Sequence, residues 1–292
     1  MSDNAPIRES AIRDTVATLV GSRLTVVGSL GMLLAALMLG ASLVGAYPIS
    51  LADMLGAIGR RLSAAPVQGQ IDTVLFEVRL PRVLAAALLG AAIAGAGAAY
   101  QTLFRNPLVS PDILGVSTGA GLGAVLGIFL SLPVVGIQLF WLLGSLSAIR
   151  RAEVWAVVPL VLLGLVPLVL LRWRINVLSL GDEEAKALGV EAGRLRLLVV
   201  AAATLMTASV VAISGVIGWV GLVIPHIARM IVGPSFDRLL PTAMLLGASY
   251  LLLVDTLART MARIEVPIGI LTAMIGAPFF LWLLAKGREG WS

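Results

Sequence analysis

Long apolar stretches dominate this sequence and restrict the folds that are open to it. Of its 292 residues, 59% are hydrophobic and only 13% are charged. A water-soluble domain has roughly a quarter of its residues charged, so this chain has too few polar side chains to cover a soluble globule. Because backbone polar groups in lipid must be satisfied internally, apolar segments of about 20 residues cross a bilayer as α-helices. The sequence therefore predicts an all-α, polytopic membrane protein.

Eight apolar segments are long enough, or nearly so, to cross the hydrocarbon core of a bilayer. A further stretch, Leu51–Leu62, is amphipathic, so we expect it to lie at the membrane surface. Residues 1–23 are mixed polar and are interpreted as a cytoplasmic tail, followed by a single transmembrane domain over residues 24–292. The predicted spans are Leu24–Ala46, Val83–Tyr100, Leu114–Leu130, Val154–Leu171, Leu195–Ile213, Val216–Val232, Leu240–Leu257 and Ile268–Ala285.

Basic residues are distributed unequally between the two sides of these spans. With the N-terminus in the cytoplasm, 13 Lys and Arg residues fall on the inner side and 8 on the outer side. Cytoplasmic loops of membrane proteins carry the excess of Lys and Arg. The pattern therefore predicts that both termini are cytoplasmic, and it explains the net charge of +5 without a nucleic-acid partner.

The residue inventory argues against several kinds of chemistry. The chain has no cysteine, and its single histidine, His226, follows Pro225 at a predicted helix break, so no metal site is expected. Neither Lys186 nor Lys286 lies in a phosphate-binding loop of the form G-x-x-x-x-G-K-[ST], so ATP-driven work requires another polypeptide. Apart from Asp255, near the end of a span, the spans hold almost no ionisable residue. An ion-coupled secondary transporter and an intramembrane enzyme are therefore the weaker alternatives.

A regular glycine spacing marks the third predicted span. Gly115, Gly119, Gly123 and Gly127 recur every four residues and would lie along one face of a helix. Such a smooth stripe permits close helix packing. The spacing alone leaves two interpretations open, which are packing within one subunit and a wall of a substrate path.

A short polar segment, Leu178–Val190, connects two predicted spans on the cytoplasmic side. Ser179 and Asp182 have the spacing of a capping box, and acidic residues fall in the first turn of the predicted helix, where its dipole favours negative charge. Gly189 is expected to end this helix. The residues alone leave open whether it docks in a groove of a cytosolic partner or is an ordinary interfacial helix.

Segments along almost the whole chain resemble the FecCD/BtuCD-type permease family, the membrane subunits of ABC importers for iron-siderophores, haem and cobalamin. The matching segments occur in family order, and long ordered matches are far more specific than a lone glycine motif. They are Val78–Arg82, Tyr100–Leu108, Pro111–Ala120, Leu178–Val190, Gly215–Arg229, Asp255–Arg259, Pro267–Ile270 and Gly276–Phe280.

The resemblance implies roles for individual residues. It identifies Leu178–Val190 as the coupling helix that rests on the ATPase subunit. It also implies that the outer arginines Arg79, Arg82 and Arg259 engage acidic residues of a substrate-binding protein, with lipid-headgroup contact as the alternative for the first two. Asp255, four residues before Arg259, is expected to orient it. The coupling residues are Leu178, Ser179, Leu180, Gly181, Asp182, Glu183, Glu184, Ala185, Leu188 and Gly189.

The same resemblance implies the partners. The chain is expected to form a homodimer, or a close heterodimer, with a second permease subunit and to bind two cytosolic ATPases. ATP and Mg²⁺ would belong to those ATPases, and no cofactor is expected in this chain. A periplasmic or lipid-anchored binding protein would deliver an iron chelate, with haem and cobalamin left open. The subunit is expected in the bacterial inner membrane, surrounded by membrane lipid, as a multi-pass protein.

The chain departs from the family pattern at one place. The family has ten spans and this sequence offers eight, since the match stops after Leu130 and resumes at Gln138. The missing part corresponds to the fourth and fifth spans, roughly 50 residues at about 20 per span. Loss of an even number of spans preserves the orientation of the others. Because the fifth helix lines the path in this family, a remnant that assembles without transporting is the alternative to an active permease.

Overall fold

The computed structural model describes residues 25–63, 69–112, 115, 144–262 and 265–288. The predicted tail over residues 1–23, nearly all of the third predicted span, and Gly119, Gly123 and Gly127 lie outside these ranges. The described ranges are helical and contain no strand. Their helices are α1 (Thr25–Leu43), α2 (Leu51–Leu62), α3 (Gly69–Leu103), α4 (Arg151–Leu170), α5 (Arg172–Leu178), α6 (Asp182–Ala187), α7 (Ala192–Ser214), α8 (Val220–Val232), α9 (Phe236–Ala258) and α10 (Ile268–Arg288).

Five helices in the described part are long and apolar enough to cross a membrane, namely α1, α3, α4, α7 and α9. Helix α8 and the apolar part of α10, Ile268–Leu283, are shorter. Seven of the eight predicted spans therefore coincide with helices, and the remaining one, Leu114–Leu130, lies outside the described residues.

The amphipathic helix α2 is confirmed, and its start is fixed locally. Ser50 and Asp53 form a reciprocal capping box there. The hydroxyl and backbone N–H of Ser50 hold the pKa of the Asp53 carboxyl below its ordinary value. At the other end, Arg60 bonds Asp72 in the first turn of α3 at 2.6 Å, so α2 is tied to the start of the central helix.

Helix α3 forms the centre of the subunit and is buried over most of its length. It begins well before the predicted span, because Gly69–Thr73 and a π-helical turn over Val74–Arg79 lead directly into Leu80–Leu103. Helix α9 makes the most extensive contact with it, and α4, α7 and α8 pack around the same helix. Helix α1, in contrast, is mostly exposed in the isolated subunit.

Two glycine pairs allow the closest approaches to α3. A β-carbon on Gly90 would overlap the carbonyl oxygen of Gly247 in α9, and one on Gly97 would overlap that of Gly221 in α8. Small residues bring helix backbones together in a bilayer, where lipid is as apolar as the side chains. Helices α3 and α9 therefore meet at backbone contact in their middle.

Replacing Gly247 by alanine is expected to destabilise the subunit by about 1–3 kcal/mol, because the new methyl group must force α3 and α9 apart. Helix propensity alone would change stability in the opposite direction, by about 1 kcal/mol. The measurement is the thermal unfolding midpoint in detergent micelles. Gly31→Ala is the matched control, since a β-carbon there has no atom within 4 Å. A midpoint for Gly247→Ala at or above that of the control would contradict the packing argument.

Three predictions about local structure are wrong. Gly115 lies in a turn with a φ of +78° rather than on one face of a helix. Helix α8 begins at Val220, later than the predicted span, because residues 215–219 are not helical. His226 lies inside α8 rather than at a break, and its ring packs edge-on against Phe279 with centroids 5.9 Å apart.

Candidate functional site

We call Leu178–Val190, which is predicted to rest on an ATPase subunit, the coupling segment. It contains one short helix, α6. Gly181 precedes this helix and provides no side-chain cap. The predicted capping box is wrong, because the hydroxyl of Ser179 donates to the carbonyl of Asn176 at 2.6 Å instead of closing onto the helix that begins at Asp182. The acidic first turn of α6 is therefore stabilised by the helix dipole and by partners from other helices.

The end of α6 agrees with the sequence prediction. Gly189 has a φ of +75°, and its N–H donates to the carbonyl of Lys186 at 3.0 Å. The next N–H, that of Val190, donates to the carbonyl of Ala185 at 2.8 Å. This is the Schellman arrangement, which needs a left-handed residue and so favours glycine.

The coupling segment presents a mixed surface to its surroundings. Ala185 is fully buried and packs the helix onto the subunit. Leu180 and Leu188, on either side of α6, are 62% and 54% exposed. Two exposed leucines beside a cluster of carboxylates form the type of surface that a partner with an apolar groove and basic rim would cover. The exposed acidic residues are Asp182, Glu183 and Glu184.

Two arginines fix the coupling segment to spanning helices. Arg196 in α7 pairs with Asp182 at 2.5 Å. Arg105, just after α3, donates to the carbonyl of Leu178 at 3.1 Å and lies 3.9 Å from the carboxylate of Asp182. The segment is therefore connected to both α3 and α7.

A second group of charges lies at the opposite end of α3 and α9. Arg82 donates through Nε to Asp255 at 3.0 Å and forms a two-pronged pair with Glu265 at 2.8 and 3.0 Å. Arg259 lies 3.9 Å from Asp255, which confirms the predicted contact, although Arg82 is the closer partner. We call Arg79, Arg82, Asp255, Arg259 and Glu265 the arginine cluster.

Two members of the arginine cluster cap the C-terminal end of α1. The last four carbonyls of a helix lack partners within it, and arginine side chains near that end can satisfy them. Gly40 accepts from the N–H of Val44, and the other three carbonyls accept from Arg79 and Arg259. The same two arginines bond further carbonyls in the following loop. The carbonyls that accept from Arg79 are those of Ser42, Leu43 and Tyr47, and those that accept from Arg259 are Ala41 and Val44.

The three arginines predicted to dock a binding protein are thus brought together, and all three have partners inside the subunit. Only 5% of Arg79 is exposed, and the side chains of Arg82 and Arg259 are 12% and 10% exposed. They line a cavity of about 260 Å³ together with Glu265. Docking of a binding protein by these residues stays a prediction.

Sequence reasoning missed two residues of these sites. Glu265 lies between α9 and α10 and pairs with Arg82 across 183 positions of the chain. Asn176 lies in α5 and bonds the first turn of α9. Neither residue stands in a motif, so no local signal marks either one.

The class of protein follows from these features. The described part has seven apolar helices, one of which, α3, is the buried centre against which α4, α7, α8 and α9 pack, and the exposed segment Leu178–Val190 lies at the end opposite the arginine cluster. This is the organisation of a multi-pass membrane protein. The sequence profile of the FecCD transport family matches residues 32–140 and 134–286. The chain belongs to this family of ABC transporter permeases.

Individual relatives agree with this assignment. An iron chelatin transport system permease protein of Helicobacter pylori is 38% identical over 274 residues, which cover 75% of this chain and 84% of the relative. The molybdate import system permease protein MolB of Haemophilus influenzae is 38% identical over 311 residues, covering 85% and 91%. A solved metal-chelate-type ABC transporter in an inward-facing conformation is 34% identical and superimposes with a TM-score of 0.79, covering 90% of this chain and 99% of that chain.

The lengths of these alignments indicate that this chain lacks an internal segment that its relatives have. The Helicobacter alignment runs over 274 positions but takes up 75% of 292 residues, about 219, so about 55 positions of the relative face gaps here. The family profile also matches as two stretches that meet at residues 134–140. Both the size and the place agree with the predicted absence of a helix pair. This junction lies outside the described residues.

Proposed function

We propose that this chain is the membrane subunit of a binding-protein-dependent importer whose cargo is an iron chelate. The coupling segment is the observation that carries this proposal. It is exposed through two leucines and three carboxylates, yet it is tied by Arg105 and Arg196 to the spanning helices α3 and α7. A push on this surface therefore acts on the core of the bundle rather than on a loose loop.

ATP and Mg²⁺ would be bound by two partner subunits, since this sequence carries no phosphate-binding loop. In this scheme, two copies of the permease form the path between them. ATP binding closes the ATPases, moves the coupling segments and shifts the dimer between outward- and inward-facing states. A binding protein would deliver the cargo at the end that carries the arginine cluster.

The iron chelate is our preferred cargo because of the similarity to an iron chelatin permease and to a metal-chelate transporter. Haem and cobalamin remain alternatives, and the similarity to a molybdate permease extends the range to small oxyanions. No residue of the arginine cluster distinguishes them, because all its guanidinium groups have partners within the subunit.

A second candidate function follows from the absence of this internal segment. About 55 absent positions would remove two spans. The resemblance to the family implies that one of them, the fifth helix, lines the path. The second candidate is therefore a subunit that assembles with its partners without transporting. Reconstitution in proteoliposomes with the ATPase and binding protein separates the two. Substrate-dependent ATP hydrolysis with uptake supports the importer, whereas ATPase binding without uptake supports the assembling remnant.

Replacing Leu188 by glutamate is expected to weaken binding of the ATPase subunit about tenfold to a hundredfold. Burial of one leucine side chain at an interface contributes about 1.5–3 kcal/mol, and each 1.4 kcal/mol is about tenfold in affinity. The added carboxylate also lies beside three others. The measurement is titration of the ATPase onto the permease in nanodiscs.

Leu62→Glu is the matched control for this variant. Leu62 is 84% exposed, at the end of α2 on the opposite side of the bundle, so the same substitution there should leave ATPase affinity unchanged. Equal affinity of the Leu188→Glu variant and the parent protein would remove the coupling assignment. Equal loss in both variants would point to a general effect of the added charge.

A further inference from the structure

One side chain of α5, Asn176, connects this helix to the start of α9, and its backbone carbonyl accepts from the hydroxyl of Ser179 in the coupling segment. The Oδ1 atom of Asn176 accepts from the backbone N–H of Phe236, the first residue of α9, at 2.6 Å. Its Nδ2 atom donates to the carboxylate of Asp237 at 3.3 Å. The first N–H groups of a helix have no partner within it, and Ser235, at the N-cap position, makes no side-chain bond to them. A residue 60 positions away in the chain therefore supplies the cap of α9.

The surroundings of Asn176 make this connection rigid. Ile175 and Val177 of α5 are buried, as are Phe236 and Leu239 of α9, and the two helices are in contact. Helix α5 ends at Leu178, whose carbonyl already accepts from Arg105. The side-chain amide of Asn176 thus forms its hydrogen bonds within an apolar contact. Loss of a hydrogen-bond partner there is costly, because the remaining polar group is left unsatisfied.

Helix α9 links this contact to the other end of the subunit. Its 23 residues extend about 34 Å at 1.5 Å per residue. Near its C-terminal end, α9 carries Asp255, which pairs with Arg82. Arg259 follows α9 and bonds the carbonyls at the end of α1. The middle of α9 meets α3 at backbone contact through Gly247. The helix is continuous from Phe236 to Ala258, with Pro241 in its second turn, so a displacement of its first turn reaches the arginine cluster along one packed helix.

We propose that Asn176 is a positioning residue that transmits movement of the coupling segment to α9 and so to the arginine cluster. This inference rests on the proposed function and adds a specific route to it. The movement of α9 as a rigid element biases the far end of the bundle when the ATPases close. In this proposal Asn176 acts through its bonds to Phe236 and Asp237 in the first turn of α9.

The test uses the natural absence of cysteine to follow the far end of the bundle. Met261, 64% exposed just beyond α9, is replaced by cysteine, and its maleimide labelling rate is measured in the permease–ATPase complex. Trapping with ATP and vanadate is expected to change this rate in the parent about fivefold, at the low end of allosteric couplings. Asn176→Ala and Asn176→Asp should reduce the change to less than about twofold while ATPase binding is retained.

A double variant that exchanges the side chains of Asn176 and Asp237 controls for misfolding. Asn176→Asp keeps an acceptor for the Phe236 N–H but places a second carboxylate beside Asp237, whereas adding Asp237→Asn restores one donor between the two side chains. The exchanged pair is expected to recover the labelling response. Asn106→Ala is the matched control, because Asn106 accepts locally from the N–H of Leu108 at 2.9 Å and joins no two helices.

Each outcome decides the proposal. A full response in Asn176→Ala overturns the inference and leaves the proposed function intact. No response in the parent complex, or no ATPase binding by the parent, overturns the proposed function and the inference with it. If Asn176→Ala also loses ATPase binding, the exchanged pair decides: recovery of both binding and response supports the route, and recovery of binding alone overturns it.

Discussion

Replacing Arg82 by methionine is expected to destabilise the protein by about 3–5 kcal/mol, the range for removing one partner of a buried ion pair. Arg82 is the closest partner of Asp255, which is 1% exposed. Without it, the Asp255 carboxylate keeps only Arg259 at 3.9 Å, and that arginine is already engaged with α1. Burial of a charge without a partner is the cause of the loss. The measurement is chemical or thermal unfolding in detergent micelles.

Removing both charges should recover most of this loss. In Arg82→Met combined with Asp255→Leu no unpaired charge is buried, and such replacements are often neutral or stabilising. Glu265 is 37% exposed, so water can solvate it after the arginine is gone. Arg150→Met is the control, because Arg150 pairs with Glu153 at the surface with 81% of its side chain exposed, and such pairs contribute about 0–1 kcal/mol. A double variant no more stable than Arg82→Met would show that the ion pair is not the source.

Replacing Arg79 by lysine is expected to loosen the end of α1 although the charge is unchanged. The planar guanidinium of Arg79 holds its N–H donors at fixed positions and bonds three carbonyls at once. The ammonium group of lysine is a compact point charge on a shorter side chain. Loss of one hydrogen bond from a charged group costs about 2 kcal/mol, which is roughly thirtyfold in a local opening equilibrium. Because α1 is otherwise mostly exposed, this opening separates its end from the bundle.

The opening can be followed at Ala41, which is 5% exposed in the last turn of α1. Maleimide labelling of Ala41→Cys should be about thirtyfold faster in the Arg79→Lys background. Arg61→Lys is the control, since Arg61 stacks 5.5 Å from the centre of the Phe76 ring and caps no helix. Unchanged labelling in Arg79→Lys would show that the carbonyl contacts do not hold α1.

These two predictions change how docking of a binding protein should be tested. Charge reversal at Arg79 and Arg82 would remove the α1 cap and the partner of Asp255, so weaker docking would follow from disturbed folding alone. The charge-preserving Arg79→Lys variant separates the roles. If docking depends on charge, it persists in this variant while the α1 contact is lost.

The family and the spans could be predicted from the sequence because they depend on local composition. Predicted spans coincide with seven described helices, of which five are long enough to cross a membrane, and Gly189 predicts the end of α6. Both follow from the intrinsic preferences of a residue and its near neighbours. The absence of a helix pair was likewise visible as a break in a long ordered match. The predicted capping box at Ser179 failed because that hydroxyl bonds Asn176 instead, a local competition that spacing cannot resolve.

The tertiary structure alone decided which polar groups meet. Arg82 pairs with Asp255 across 173 positions, Arg79 and Arg259 share the end of α1, and Asn176 caps a helix 60 positions away. Each contact depends on where α3, α5 and α9 come together. That position is set by glycine contacts such as Gly90 with Gly247, and no periodicity within one segment contains it. Composition thus determined that the chain crosses a membrane, and packing determined which of its few charges are paired inside it.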